Sequence, residues 1–157
     1  MHGHCLGGGL CYPAGADISI AVKGTLFGAP EAKLSVVGGS GHLARILPPQ
    51  IQRDMSYCGT FMTAEELHDR FGGVTMVVDT LEELMPAAEK MAETIAKNAP
   101  IAVKYAKACI DRGMQMDIDD GIAVENELFA MCFATADQKE GMSAFLEKRK
   151  EKHFQNK

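Results

Sequence analysis

Residues 2 to 15 read HGHCLGGGLCYPAG, and their types suggest a turn built to present backbone N–H groups to something negative. Glycines at 7, 8 and 9 let the chain turn tightly and let a ligand approach without meeting a Cβ. The apolar run after them reads as a helix, and Pro13, tolerated only in a first turn, pins its start near Gly9. The free N–H groups and positive end of such a helix would point back at the glycines, where an oxyanion could sit. A purely structural turn is the alternative, and the triplet alone does not separate the two. Further on, FGAPEAKL sets Glu31 directly after Pro30 in apolar surroundings. A carboxylate stripped of some of its water there makes a general base; a solvated turn residue is the plainer role. Cys11, near the same helix start, could serve as a nucleophile or simply as a small buried thiol. His2, His4 and Cys5 crowd metal-ligand types together, but on a strand they face opposite sides, so no metal site is expected. His42 and Arg45 in GHLAR fit a helix start, with Arg45 able to reach a phosphate.

The elements that must position these residues change character along the chain. The first third carries short β-prone pieces, ISIAV (18 to 22), TLFGAP (25 to 30) and KLSVV (33 to 37), separated by turn residues. After GGSG (38 to 41) the spacing becomes helical, interrupted by VTMVV (74 to 78), which reads as a strand. Thr63 with Glu66, Thr80 with Glu83 and Thr135 with Gln138 match the capping box, in which hydroxyl and acid or amide satisfy free N–H groups reciprocally. Leu81, Leu84, Met85, Ala88, Met91, Ala92 and Ile95 recur at helical steps as one apolar stripe. Asn98 and Pro100 close that helix, and further helices are predicted over 101 to 112, 118 to 134 and 137 to 152. Most of the methionines fall on such stripes, where a flexible core filler is the expected role.

Length and composition narrow the classes. A chain of 157 residues, 46% apolar and 24% charged, fits one packed domain. A net charge of −5 argues against a phosphate-tracking surface, so nucleic acid is not an expected partner. Five cysteines, 5, 11, 58, 109 and 132, include no CxxC pair and fit reduced thiols in a cytoplasm. No apolar run approaches the roughly 18 to 20 residues a membrane helix needs, so a membrane is not an expected partner either.

Taken in order, HGHCLGGGLCYPAGADISIA, FGAPEAKLSVVGGSGHLARILPP, CGTFMTAEEL and FATADQKEGMSAFLEKRK resemble the C-terminal part of the enoyl-CoA hydratase/isomerase (crotonase) superfamily. The resemblance runs from about residue 2 to about residue 154. PEAKL with ARILPP is further similar to the branch containing carnitinyl-CoA (crotonobetainyl-CoA) dehydratases. The resemblance implies a partial α/β fold of the ClpP/crotonase type in a single domain over 1–157. Residues up to about 60 would form the residual spiral core, and about 61–157 a mainly helical trimerisation region. The partners implied are an acyl-CoA thioester and further copies of the chain in a homo-trimer or hexamer, with no cofactor beyond the coenzyme A of the substrate.

Residue by residue, Gly8 matches the position whose N–H forms half of the family's oxyanion hole, with Gly7 and Gly39 beside it as substrate contacts. Glu31 matches the second catalytic glutamate, the one that in the isomerases moves the proton alone. Phe129 and Lys148 match positions that reach the coenzyme A of a neighbouring subunit. Cys11 stands where hydratases carry their first glutamate, which weakens two-carboxylate hydration because a thiol lacks two acceptor oxygens. The β-rich half that precedes the glycine motif in the family lies outside the resemblance; it normally supplies the second oxyanion N–H, whose loss costs about 2.7 to 4 kcal/mol. The chain alone is therefore expected to be a poor enzyme with open strand edges and uncovered apolar surface. A crotonase-like acyl-CoA hydrolase, or an inactive remnant that only assembles with crotonase subunits, are the alternatives.

Overall fold

The computed structural model describes residues 1–157, which divide into two compact units, Met1–Lys90 and Met91–Lys157. In the first, β1 (His4–Leu6) runs into a 3-10 turn over Gly7–Leu10, then α1 (Cys11–Gly15), β2 (Ile20–Val22) and β3 (Leu26–Gly28). A second 3-10 turn, Pro30–Leu34, leads to α2 (Ser40–Leu43), α3 (Pro49–Cys58), β4 (Phe61–Thr63), α4 (Ala64–Phe71) and β5 (Met76–Val78). Strand β3 is the centre of a three-stranded sheet, parallel to β1 and antiparallel to β4. The register aligns Cys5, Phe27 and Met62 across it. Because side chains alternate along a strand, these three share one face, and all three are buried. Strands β2 and β5 pair in parallel, Ala21 opposite Val77, and the Met1 ammonium donates to Ile20 O at 2.6 Å.

The core of this unit gathers around Phe27, Leu10, Leu43, Met55, Leu67 and Val74, each fully buried. Burial of a side chain of this size stabilises by about 1.5 to 3 kcal/mol. Polar ties complete it. Thr25 Oγ1 donates to Val22 O at 2.6 Å, and Gly24, at φ 75, donates its N–H to Glu65 at 2.9 Å. That hydrogen bond is the main reason the Glu65 carboxyl lies below its ordinary range. Helix α4 begins with the full capping box: Glu66 N donates to Thr63 Oγ1 and Thr63 N to Glu66 Oε2, at 3.2 and 2.8 Å.

Helix α5 (Leu81–Ala96) spans the division between the units. The second unit continues with α6 (Pro100–Gly113), α7 (Ile118–Phe133) and α8 (Ala136–Leu146). Its definition is local. Pro100 opens α6 at N1, where a missing N–H costs nothing. Asp117 caps α7 by accepting from Asp119 N and Asp120 N, and Thr135 caps α8 by accepting from Gln138 N at 3.1 Å. Buried Asp137 accepts from Gln155 N at 2.6 Å and Asn156 N at 2.9 Å, folding the tail back along α8.

Several expectations need correction. KLSVV is not a strand: Pro30 starts a 3-10 turn, closed by Val36 N donating to Glu31 O, and Leu34, Val36 and Val37 remain exposed with no strand beside them. The glycines themselves form a 3-10 turn, and the short helix expected after them, α1, begins at Cys11. Strand β4, unforeseen, pairs with β3 through three residues just before the α4 cap. At Thr80 the Glu83 carboxylate does the capping, accepting from Asp79 N and Thr80 N. The α5 stripe is uneven: Leu84, Ala88 and Met91 are half-buried, whereas Leu81, Met85 and Ile95 are exposed. Helix α8 ends at Leu146 instead of continuing to 152, because the chain turns back there. Lys148 adopts a left-handed φ of 56, Lys148 N donates to Phe145 O, and Arg149 N donates to Ala144 O, which is the Schellman pattern.

Candidate active site

The glycine triplet follows β1 directly, so its backbone is held by the strand pairing that places Cys5 opposite Phe27. Gly7 is buried at φ 52, a left-handed conformation that a side chain would strain. Leu10, fully buried, anchors the far end of the turn, and the Cys5 thiol donates to Gly9 O at 3.4 Å from beneath. Burial pushes the Cys5 thiol up, so it stays protonated and acts as a packing group. In a 3-10 turn the first N–H groups lack an intrahelical acceptor. Within this turn those positions are Gly7, Gly8 and Gly9, whereas Cys11 N donates to Gly8 O and Gly9 O. A Cβ at Gly8 or Gly9 would meet nothing within 4 Å, so this stretch of backbone faces open space.

The carboxylate of Glu31 lies against the same turn. A Cβ added at Gly7 would run into Glu31 Oε1, and one at Gly38 would lie 3.3 Å from that atom. Glu31 Oε2 is buried with no hydrogen-bond partner. Gly39, at φ 71, lets the next loop approach as closely, since a Cβ there would lie 2.9 Å from Gly7 O. Three loops thus converge: the triplet, the Pro30–Leu34 turn and the Gly38–Gly39 bend. Together they hold one carboxyl against the backbone of Gly7 and Gly38 beside the glycine turn, an arrangement suited to moving a proton beside a developing oxyanion.

Of the residues singled out in sequence, Gly7, Gly8, Gly39 and Glu31 are brought together here. Half-exposed Cys11 opens α1 directly after the turn. Phe129 and Lys148 belong to the second unit. Phe129 is 62% exposed near the end of α7, 4.7 Å from the Phe133 ring, and exposed Lys148 sits in the turn after α8. His4 is exposed and Cys5 buried, on opposite faces of β1, and no group of three His, Cys, Asp or Glu is arranged to hold a metal. Gly38 escaped the sequence reading as a site residue; the signal was the doublet GG seven residues after Glu31.

Known proteins of similar fold and sequence define its class. The crystal structure of an enoyl-CoA hydratase from Bacillus anthracis superimposes with a TM-score of 0.91 at 32% identity, covering 99% of this chain and 60% of that one. An enoyl-CoA hydratase structure from Geobacillus kaustophilus matches with a TM-score of 0.88 at 33% identity over 99% of this chain and 60% of its own. The fold is therefore a partial crotonase fold. The sequence profile of the enoyl-CoA hydratase/isomerase family matches residues 1–157, and the chain belongs to that family. It is 41% identical to the short-chain-enoyl-CoA hydratase of Clostridium acetobutylicum over all of this chain and 60% of the relative. It is 40% identical to the crotonyl-CoA hydratase of Syntrophomonas wolfei over 96% of this chain and 58% of the relative. The chain thus spans about 60% of the length of these two curated relatives. No helix is long and apolar enough to cross a membrane.

Proposed function

We propose that this chain carries the proton-transfer part of an acyl-CoA hydratase/isomerase site, acting on an enoyl-CoA thioester. The observation that supports it is the buried, unpartnered Oε2 of Glu31 held against the glycine turn. With no donor bound to it, that oxygen has its lone pairs free for a substrate proton. The Gly8 amide binds the thioester oxygen as it gains charge, which stabilises the enolate. Gly7 and Gly39 let thioester and carboxylate close on each other, and Glu31 moves the proton at Cα or Cγ of the acyl group. With Cys11 in the place of a second carboxylate, migration of the double bond is easier than addition of water. No metal or cofactor takes part beyond the coenzyme A of the substrate, whose binding Phe129 and Lys148 complete from a neighbouring copy. The uncovered apolar side chains of α7 and α8 are the surfaces through which copies assemble as a trimer or hexamer. The five free cysteines fit a reducing cytoplasm.

The test is to incubate the chain with crotonyl-CoA, a 3-enoyl-CoA and a saturated acyl-CoA while following double-bond absorbance and released thiol. Bond migration or hydration without thiol release is the expected signal, and Glu31→Gln should lower it by about 10²- to 10⁴-fold. A Glu31→Gln variant with the parent rate would overturn the assignment.

A further inference from the structure

In the 3-10 turn Pro30–Leu34 that carries Glu31 no residue is fully buried; Pro30 and Glu31 are half-buried and Ala32, Lys33 and Leu34 are exposed, so little hydrophobic packing fixes the carboxylate. Pro30 sets one dihedral angle, and the bonds of Ser35 N to Ala32 O and Val36 N to Glu31 O close the turn on itself. The turn packs alongside α3, and Lys33 supplies a polar tie to the end of that helix. The Lys33 ammonium donates to Gly59 O at 3.0 Å, the residue that ends α3 at φ 63. It also lies 5.9 Å over the Phe61 ring. A Cβ at Gly59 would lie 2.5 Å from Lys33 Cε, so only glycine admits the side chain along this path. Phe61 in turn rests on Gly28, where a Cβ would collide with its ring, and Gly28 is the last residue of β3 before the turn.

From these contacts we propose that Lys33 is a positioning residue for Glu31. Its ammonium clamps the turn to the end of α3 while Phe61 clamps the end of β3, so the segment from Gly28 to Lys33 is held at both ends and the carboxyl stays seated against Gly7 and Gly38. Lys33 touches no reacting atom. The proposal rests on the reading of Glu31 as the proton carrier for its catalytic consequence, but its structural content can be tested without turnover.

Lys33→Met keeps the aliphatic stem and removes the donor and the charge; Lys33→Arg keeps a donor of the same charge. In Lys33→Met the Val36 amide should exchange with solvent at least about tenfold faster, and the Glu31 carboxyl ¹³C resonance, assigned through Glu31→Gln, should shift or broaden. Lys33→Arg should recover part of both changes. With an enoyl-CoA substrate, kcat should fall roughly ten- to a hundredfold at unchanged KM, the mark of a displaced catalytic group rather than lost binding. Unchanged exchange and an unchanged Glu31 resonance in a folded Lys33→Met chain overturn the proposal. If Lys33→Met does not fold, Phe61→Leu, which removes the ring beneath the ammonium together with its contact on Gly28, should give the same changes at smaller amplitude, and no change would overturn the proposal. Absence of turnover in the parent chain counts against the hydratase/isomerase reading, and the exchange and resonance data then decide the role of Lys33 on their own.

Discussion

In Met1–Lys90 the apolar side chains from Cys5 to Val74 form one buried cluster. In Met91–Lys157 Ala144 is the only apolar residue fully shielded, while Phe145 and Leu146 beside it are 75% and 72% exposed. The first unit is thus specified by burial and the second by local signals: caps at Asp117 and Thr135, the Asp137 anchor and the turn after α8. The difference teaches where each can fail. A core tolerates surface change but not cavities, whereas a helical segment with uncovered faces depends on its termini and on whatever covers those faces.

The largest expected effect lies in the core. Phe27→Ala should lower unfolding free energy by about 3 to 5 kcal/mol, measured by denaturant titration, whereas Phe145→Ala should change the stability of the isolated chain by less than about 0.5 kcal/mol. A large loss at Phe145, accompanied by a change of mass in light scattering, would show that its face is covered in an assembly. Next comes the tail. Asp137→Ala strips the acceptor from Gln155 N and Asn156 N and should cost about 1 to 3 kcal/mol, with faster exchange confined to residues 150 to 157.

Lys148→Gly removes a side chain from a left-handed position and should raise stability by up to about 1 kcal/mol. If Lys148 also meets coenzyme A, the same change should weaken substrate binding, which separates the two roles. The smallest effect is electrostatic. Arg149 forks onto Glu140 at 3.0 and 3.1 Å, and its hydrogen bonds, aided by the His153 N–H, hold the Glu140 carboxyl down to about 2. The folded value lies below the ordinary 4.5, so this contribution is complete above about 4.5 and is lost as pH falls toward about 2. Exchange at the His153 amide should accelerate over that window, and Glu140→Gln should abolish the dependence.

Much of this was legible in the sequence where short-range chemistry decides the outcome. The Thr63 box and the Thr135 half of its counterpart depend on residues within one turn of each other and appear as read, whereas Pro100, read as closing α5, opens α6. The Glu31 and glycine motifs were legible as types, and their meeting was an expectation carried by the family resemblance. What escaped depended on partners distant in sequence. KLSVV has strand composition, but Pro30 and the bond from Val36 to Glu31 make it a turn and a loop. Strand β4 exists because β3 offers it an edge. The charged run after Leu146 has helical composition, yet Arg149 folds back to Glu140 nine residues earlier and stops the helix. Lys33 gave no signal at all, because its acceptor is a carbonyl 26 residues away.

The near contact of Gly39 with the carbonyl of Gly7 bears on how chimeras of this chain are built. A donor segment bearing any side chain at position 39 would shove the triplet off its seat even if every triplet residue were retained. Loops 7–10 and 38–41 therefore have to be exchanged between relatives as a matched pair, and grafts of one without the other should be screened first for loss of folding and only then for altered turnover.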